Sequence, residues 1–288
     1  MEKHLLEDWQ FCFFVKGLVA PEEGITLGDI MIFGVPPSHD ASIFFKVSTK
    51  PEKDNDALRN ELLSNLRNIV KVYGLVSNTY VDVMSGSSAS KISSEHPFGD
   101  KKLRGHFGLI PVFDEERRRR EIPLIEKTIT KYEVVKPIFQ GKAKGFLRNA
   151  IDYYYRSLKD DKLEEKIIDL MISLESLFSN ERDELGLRYS LRTTFLLGVG
   201  QEAERPNIFR KVQTLYGKRS KVVHGTEDVD LEYKDISTLQ EYVREAIKRL
   251  IHIEMSKQKF LTLLDESVYD EEKRVLLNQI VMEAMKKW

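Results

Sequence analysis

One arginine interrupts the apolar stripe of a basic segment in the C-terminal half of the chain. The members of this stripe recur at i, i+4, i+7, i+11 and i+14, so at about 100° per residue they share one narrow face of a helix. They are Ile208, Val212, Leu215, Arg219 and Val222. A guanidinium keeps its proton, and burying an unpaired charge costs several kcal/mol. Arg219 therefore stands where a core residue is expected, and it needs an acidic or anionic partner.

Two kinds of partner are open for Arg219. A carboxylate from a neighbouring helix, such as Glu175 or Glu184, could pair with the guanidinium and only fix the helices together. Alternatively, the stripe opens into a groove where Arg219 binds a phosphate through a bidentate pair of hydrogen bonds. The two readings are compatible, because a glutamate can hold an arginine in place for a ligand.

His224 follows Arg219 by five residues, which is about 140° around an ideal helix. The two side chains converge only if the helix ends there or if a second copy supplies the partner. Gly225 favours such an end, because glycine just past a helix allows the left-handed turn that closes it. A histidine in the last turn meets the negative end of the helix dipole, which suits acid–base chemistry near neutral pH. A lone histidine is nevertheless more often structural than catalytic.

The same segment is strongly basic. From Arg205 to His224 there are six lysines or arginines and no acidic residue. Such a local positive charge suits a polyanionic backbone, although a single basic helix can equally be a solvated face. Besides Arg219, the candidates for RNA binding are Arg205, Arg210, Lys211, Lys218 and Lys221.

Helices must position these side chains. From about residue 141 the pattern is almost entirely helical, and short links between the segments predict an all-α antiparallel helical bundle over residues 141–288. Five or six helices are predicted, near residues 142–158, 162–179, 183–198, 205–224, 232–258 and 268–286.

The first part of the chain, residues 1–135, has a different pattern and is predicted to form an α+β domain. Apolar runs predict strands, Leu58, Leu62 and Leu66 recur at helical spacing, and the Ser-rich and Gly-rich stretch after residue 84 predicts a long loop up to residue 108. Residues 115–121, four arginines among three glutamates, are interpreted as a solvated surface segment. The predicted strands are 11–16, 25–33, 42–47 and 79–84, and the predicted helix is 52–73.

Composition narrows the class of protein. The 288 residues, 41% of them hydrophobic, suffice for two domains, and 45 basic against 46 acidic residues give the whole chain no bias towards polyanions or membranes. The single Cys12 excludes an internal disulfide and a cysteine-rich zinc site. The chain shows no signal peptide, and no apolar run approaches the roughly 18 residues of a membrane span. We expect a cytoplasmic protein with no membrane partner, no metal and no cofactor.

Three blocks of the chain resemble the ApeA-like branch of HEPN domains. Arg219 and His224, with four residues between them, match the HEPN signature of an arginine, four to six residues and a histidine. The resemblance covers roughly residues 145–275. Its blocks are residues 174–178, 184–192 and 215–225.

This resemblance implies a metal-independent endoribonuclease in which two HEPN domains dimerise and bring two Arg and His pairs into one composite groove. The RNA 2′-hydroxyl would attack the adjacent phosphate. In that scheme His224 is the general base or acid, Arg219 stabilises charge on the phosphate oxygens, and Glu175 or Glu184 orients Arg219. The implied setting is antiphage defence or a toxin system, with a regulatory protein partner and a sensing or regulatory role for residues 1–135.

Two further points qualify what the resemblance implies. HEPN toxins that are paired with nucleotidyltransferase antitoxins carry a tyrosine two residues after the histidine, where this chain has Thr226, so tyrosine modification by such a partner is not expected. Some HEPN domains have lost activity. The alternative reading is therefore a non-catalytic HEPN module that binds RNA or another protein.

Overall fold

A computed structural model describes residues 9–19, 25–27, 30–35, 40–47, 56–84, 89–91, 115–179, 185–225 and 229–288. The chain divides into two compact units, Met1–Glu133 and Val134–Trp288. The sequence predicts domains over residues 1–135 and 141–288.

The described strands of the first unit pair in one antiparallel sheet. The sheet order is β2-β3-β4-β1-β5, and β6 also pairs with β1. Because β4 lies along one side of β1, the short strands β5 and β6 share the other side. The strands are β1 (Trp9–Val19), β2 (Ile25–Leu27), β3 (Ile30–Val35), β4 (Asp40–Val47), β5 (Asp82–Met84) and β6 (Ala89–Lys91).

These strands differ in detail from the sequence prediction. In place of the single run predicted over residues 25–33, the structure has two antiparallel strands, β2 and β3, in which Leu27 pairs with Ile30. Strand β6 lies inside the stretch that is predicted as a loop, most of which falls outside the described residues. The fold class of an α+β domain for the whole region stays a prediction.

Helix α1 (Asp56–Ser77) extends four residues beyond the predicted helix of residues 52–73. It ends at Asn78, whose φ of 59° is left-handed and whose N–H donates to the Gly74 carbonyl at 2.9 Å. Asparagine tolerates this conformation better than most residues. The buried face of α1 has helical spacing and carries Leu66, Ile69, Val70 and Tyr73.

Helix α2 (Glu115–Phe139) contains the arginine-rich segment, whose interpretation as a solvated surface segment stays a prediction. Residues 115–121 are the start of a 25-residue helix, and the boundary between the two units lies within this helix. Two internal prolines, Pro123 and Pro137, hide the helix from the sequence prediction, because proline is usually excluded from helix interiors. The helical period is nevertheless present in its buried residues, Ile125, Thr128, Tyr132, Val135 and Phe139.

The described part of the second unit is an all-α helical bundle, as the sequence predicts. Its central helix is α4, which contacts α3, α5, α6 and α7 and buries Leu170, Leu174 and Leu177. The helices are α3 (Gly145–Lys159), α4 (Leu163–Phe178), α5 (Leu185–Leu197), α6 (Arg205–Val223), α7 (Tyr233–Ile251), α8 (Lys257–Glu266) and α9 (Glu271–Lys286).

The prediction of one helix over residues 232–258 is wrong. Helix α7 ends at Ile251, where the Lys144 ammonium donates to the carbonyls of Leu250 at 3.2 Å and Ile251 at 2.7 Å. A cation at this position satisfies the last carbonyls and the negative end of the helix dipole. A separate helix, α8, then begins after Ser256, whose hydroxyl accepts from the Lys259 N–H. Within the described ranges, no helix has an apolar stretch long enough to cross a bilayer.

Candidate functional site

The C-terminal end of α6 is closed by Gly225, as the sequence predicts. The helix ends at Val223, and His224 is the capping residue, with its N–H donating to the Ser220 carbonyl at 3.1 Å. Gly225 follows with a left-handed φ of 67°, and its N–H donates to the Val222 carbonyl at 3.1 Å. Glycine adopts this conformation without steric cost, so the position of Gly225 in the sequence predicts where α6 ends.

The apolar stripe of α6 opens to the surface at the same end. Ile208, Val212 and Leu215 are buried, whereas the Arg219 side chain is 22% exposed. One turn further on, Val223 is 49% exposed. Arg219 therefore lies at the rim of the core, and the expectation that it replaces a fully buried residue holds only in part.

Glu175 on α4 is the acidic neighbour of Arg219. Its Oε1 lies 3.6 Å from Arg219 Nη2, and its side chain is 26% exposed. Burial raises the pKa of Glu175, and the nearby guanidinium of Arg219 only partly reverses this rise. A separation of 3.6 Å is an ion pair but is too long for a strong hydrogen bond.

The guanidinium of Arg219 is not fully satisfied by this contact. Its Nε is buried and makes no hydrogen bond to any described residue. A guanidinium offers five N–H donors in a planar fork, and an oxyanion can accept two of them at once. Because the Nε is closed to solvent, an external anion could meet only the part of the Arg219 side chain that is exposed at the rim.

Two tyrosines border the Glu175–Arg219 pair. Tyr189 on α5 is buried, and its ring meets that of Tyr216 on α6 edge to face at 6.2 Å between centroids. Burial raises the pKa of Tyr189 to about 12, although a hydrogen bond from the Ser179 side chain acts against the rise. The charges of Glu175 and Arg219 also act on the pKa of Tyr189, the first raising it and the second lowering it.

Gly186 is required for this packing. A Cβ at Gly186 would lie 2.8 Å from Cδ1 and 2.9 Å from Cε1 of Tyr216, closer than real carbon contacts allow. The three sequence blocks of residues 174–178, 184–192 and 215–225 thus meet in one place, since they supply Glu175, Gly186 with Tyr189, and Tyr216 with Arg219 respectively.

The other two predicted catalytic residues are placed differently. The His224 side chain is exposed, and no hydrogen bond or ion pair joins it to Arg219 among the described residues. Glu184 lies in residues 180–184, outside the described part of the chain. Of the three predicted catalytic residues that the structure describes, Glu175 and Arg219 therefore meet within one chain, and His224 does not join them.

Two of the predicted RNA-binding lysines pair with a buried carboxylate. Lys211 and Lys218 reach Asp235 on α7, with Nζ to oxygen distances of 2.6 and 2.7 Å. Burial raises the pKa of Asp235, but hydrogen bonds from both lysines and from the Glu232 N–H outweigh it and lower the pKa to about 2. These lysines join α6 to α7, so much of their charge is neutralised within the protein.

The remaining basic candidates differ in exposure. Arg205 is half-buried, with its guanidinium 5.0 Å from the centre of the Phe195 ring. Arg210 is exposed and donates to the Pro206 carbonyl at 3.1 Å. Lys221 is exposed in the last turn of α6. The solvent-facing charge of α6 is therefore concentrated on Arg210 and Lys221, besides Arg219 at the rim.

Sequence reasoning missed the residues that hold the end of α4. The Lys257 ammonium donates to the carbonyls of Ser176 at 2.9 Å and Ser179 at 2.6 Å. Arg192 donates to the Phe178 carbonyl and forms a two-pronged ion pair with Asp265, at 2.8 and 2.6 Å. The contacts of Lys257 with α4 and of Arg192 with Asp265 join residues more than seventy positions apart, so no local period could reveal them. The charged Arg192, four residues before the buried Leu196 of α5, is the signal that the sequence offers.

The described residues include no group of three or more His, Cys, Asp or Glu side chains that could hold a metal ion. The cluster instead offers a guanidinium, a carboxylate and two phenols at the open end of an apolar stripe. No protein-family model matches this chain, and no curated protein and no solved structure matches it either.

Proposed function

We propose that this chain is a metal-independent endoribonuclease of the HEPN type. The observation that carries the proposal is the partly exposed Arg219 side chain at the rim of the bundle, paired with Glu175 at 3.6 Å, five residues before an exposed His224. A rim arginine and a solvent-facing imidazole at one helix end suit the binding and acid–base chemistry of a phosphodiester.

The proposed reaction is transfer of the phosphoryl group within the RNA. The 2′-hydroxyl oxygen forms a bond to the adjacent phosphorus, and the bond from phosphorus to the 5′-oxygen of the next nucleotide breaks. The products are a 2′,3′-cyclic phosphate and a free 5′-hydroxyl. His224 removes the proton of the 2′-hydroxyl or protonates the leaving oxygen, while Arg219 stabilises charge on the non-bridging oxygens.

The proposal requires two copies of the chain. Within one chain, His224 faces solvent whereas Arg219 lies on the buried stripe of the same helix. A second copy would supply the missing partner, so that each phosphate meets an arginine and a histidine in a groove between two α6 ends. The exposed Val223 beside this site offers apolar surface to such a partner.

A second candidate is a non-catalytic module that binds RNA or another protein. The exposed Arg210 and Lys221, together with Arg219, could bind phosphates without any role for His224. In either case, we place the protein in the cytoplasm, in antiphage defence or a toxin system, with the first unit sensing a signal or a regulatory protein.

The decisive experiment compares RNA cleavage by the wild type and three variants in excess chelator. Single-stranded and structured RNAs are incubated with the wild type, Arg219→Ala, His224→Ala and the control His252→Ala, which changes the capping histidine of α7. We expect cyclic phosphate products from the wild type and the control, and a loss of at least about 100-fold from the other two.

The outcomes separate the two candidates. Equal cleavage by all four proteins would contradict the endoribonuclease. Salt-sensitive RNA binding that survives His224→Ala, with no cyclic product from the wild type, would favour the non-catalytic module. A strictly monomeric mass in solution, with RNA present, would contradict the proposed groove between two copies of the chain.

A further inference from the structure

The last turn of α4, residues 175–178, carries Glu175 and ends without a glycine. Ser179, which follows the turn, is extended, with φ of −94° and ψ of 133°, whereas the left-handed Gly225 closes α6. The Ser179 N–H donates to the Glu175 carbonyl at 2.8 Å, but the later carbonyls of the turn cannot all be bonded within the helix. The turn itself contains no basic residue. Its remaining carbonyls therefore need donors from elsewhere in the chain.

Lys257, at the start of α8, is the first of these donors. Its ammonium donates to the carbonyls of Ser176 at 2.9 Å and Ser179 at 2.6 Å. The Nζ atom also lies 5.3 Å from the centre of the Phe146 ring, and the side chain is half-buried. A cation at this end of a helix meets the negative end of the helix dipole, and partial burial strengthens the attraction. Lys257 thus binds one carbonyl within the turn and one just past it.

Arg192 on α5 is the second donor. Its guanidinium donates to the Phe178 carbonyl and pairs with the Asp265 carboxylate of α8, through Nε at 2.8 Å and Nη2 at 2.6 Å. The Arg192 side chain is buried, whereas that of Asp265 is partly exposed. A bidentate pair fixes the plane of a guanidinium as well as its position. Cations from two other helices therefore bind the end of α4.

The position of Glu175 depends on this turn. Its carboxylate is 3.6 Å from Arg219, which is too long for a strong hydrogen bond, so the ion pair itself restricts neither side chain closely. The Glu175 carbonyl, in contrast, is bonded to Ser179, whose own carbonyl accepts from Lys257. Phosphoryl transfer depends on placement, and an error of about 1 Å can cost roughly 100-fold in rate. The placement of the carboxylate beside Arg219 therefore rests on the backbone of the turn.

We propose that Lys257 and Arg192 are positioning residues for the Glu175–Arg219 pair. They bind the carbonyls at the end of α4 and so keep Glu175 within reach of Arg219. Neither residue touches RNA. Their effect on the ion pair is a property of the protein without ligand, whereas its consequence for catalysis rests on the proposed endoribonuclease function.

The variants change one ammonium at a time. Lys257→Met removes the charge but keeps an unbranched apolar side chain, and Lys257→Arg keeps a cation. Lys144→Met is the matched control, because Lys144 donates in the same way to the last two carbonyls of α7. Thermal unfolding checks that each variant is folded. Should Lys257→Met not fold, Asp265→Asn replaces it in all three readouts, since it weakens the support of Arg192 at a partly exposed position.

The first readout is hydrogen exchange of backbone amides without RNA. We expect the Ser179 N–H, which is bonded to the last turn of α4, to exchange at least about fivefold faster in Lys257→Met and at the wild-type rate in Lys144→Met. The Ile253 N–H, which donates to the last turn of α7 at 3.3 Å, should respond in the reverse way. An unchanged exchange rate of Ser179 in Lys257→Met overturns the inference.

The second readout is the ¹⁵N NMR signal of the Arg219 Nε–H, also without RNA, assigned by its loss in Arg219→Lys. We expect Lys257→Met to shift this signal and Lys144→Met to leave it in place. In a Glu175→Gln background, Lys257→Met should add little further shift, because the effect acts through Glu175. A signal that does not move in Lys257→Met, or that moves as far in the Glu175→Gln background, contradicts the positioning role.

The third readout is RNA cleavage. We expect kcat to fall about tenfold in Lys257→Met, with KM within about twofold of the wild type, and Lys257→Arg to restore kcat to within about twofold. In the Glu175→Gln background, Lys257→Met should lower kcat by less than about twofold. Additive losses would show that Lys257 does not act through Glu175 and would also overturn the inference. If the wild type cleaves no RNA, the proposed function fails, and the first two readouts still decide whether Lys257 positions the pair.

Discussion

The Nη2 atom of Arg219 lies 3.6 Å from Oε1 of Glu175, which makes the two residues a loose ion pair. An arginine bound by two short hydrogen bonds would have to give them up before it could bind a phosphate. At 3.6 Å, Arg219 has no short hydrogen bond to Glu175 that it would have to break. The same ion pair joins two helices of the bundle and contains the arginine of the proposed chemistry, so substitutions can test both roles.

Replacing Glu175 by glutamine should separate orientation from charge. We expect Glu175→Gln to lower the kcat of RNA cleavage about tenfold, because the carboxylate no longer holds Arg219. Binding of a 2′-deoxy RNA analogue should be unchanged or tighter, because a negative charge near the phosphate is lost. Glu245→Gln, at the half-buried Lys248 pair, is the control. Weaker binding with an unchanged kcat would contradict an orienting role.

Asp235 should contribute to stability above pH 4. Its pKa is lowered from 3.8 to about 2 in the folded protein, so the stabilisation is present above the unfolded pKa and is lost as the pH falls through 2. We expect Asp235→Asn to reduce the free energy of unfolding at pH 7 by about 2 kcal/mol. Urea unfolding at pH 7 and pH 2 measures both effects. A variant as stable as the wild type at pH 7 would show that Lys211 and Lys218 do not depend on Asp235.

Asp169 should have the opposite pH dependence. Burial raises its pKa from 3.8 to about 6, and Arg156, with Nε at 3.2 Å, only partly offsets this. The folded state therefore favours the protonated carboxyl, so the contribution of Asp169 to stability is fully present below pH 4 and is lost as the pH rises through 6. We expect Asp169→Asn to stabilise the bundle at pH 8 by on the order of 1–3 kcal/mol, with little effect at pH 4.

The control for this prediction is the neighbouring, exposed Asp161. Asp161→Asn should change the unfolding midpoint in urea very little at either pH. A pH-independent effect of Asp169→Asn would mean that its contribution is packing and not ionisation.

Two glycines should respond in opposite ways to the same substitution. Gly186→Ala places a Cβ 2.8 Å from the Tyr216 ring, so we expect a loss of about 1–2 kcal/mol and a displaced ring. Gly217→Ala, on the exposed face of α6 with no atom within 4 Å of the new Cβ, should stabilise by about 0.5–1 kcal/mol. Chemical denaturation measures both. Equal effects would mean that the contact of Gly186 with Tyr216 is not tight.

The end of α6 could be predicted from the sequence because it follows from a local rule, whereas the sequence left Glu175 and Glu184 as alternative partners of Arg219. Gly225 fixes where the helix stops, and an arginine on an apolar stripe requires a partner such as Glu175. The all-α bundle follows from periodicity in the same way. The helix end and the apolar stripes depend on residues within a few turns of one helix, and periodicity reports such neighbours directly. The contact of Arg219 with Glu175, in contrast, joins α6 to α4.

Other features depend on contacts that periodicity cannot report. The break between Ile251 and Lys257 is stabilised by Lys144, more than a hundred positions earlier in the chain. Lys211 and Lys218 look like ligands for a polyanion until α7 brings Asp235 to them. The number of basic residues in one helix does not show which residues of the next helix neutralise them. The predicted RNA-binding residues were therefore the least predictable part of the site.

The pairing of Lys211 and Lys218 with Asp235 also bears on the thermodynamics of association with a polyanion. Only cations that neutralise phosphates release counterions, and each contact to a single strand changes the slope of log K against log salt by about −0.7. With two of its cations neutralised internally, α6 offers Arg210, Arg219 and Lys221 as its main contributors. RNA bound as proposed should then show a slope of about −2 for each chain, about half of what the basic composition of α6 suggests.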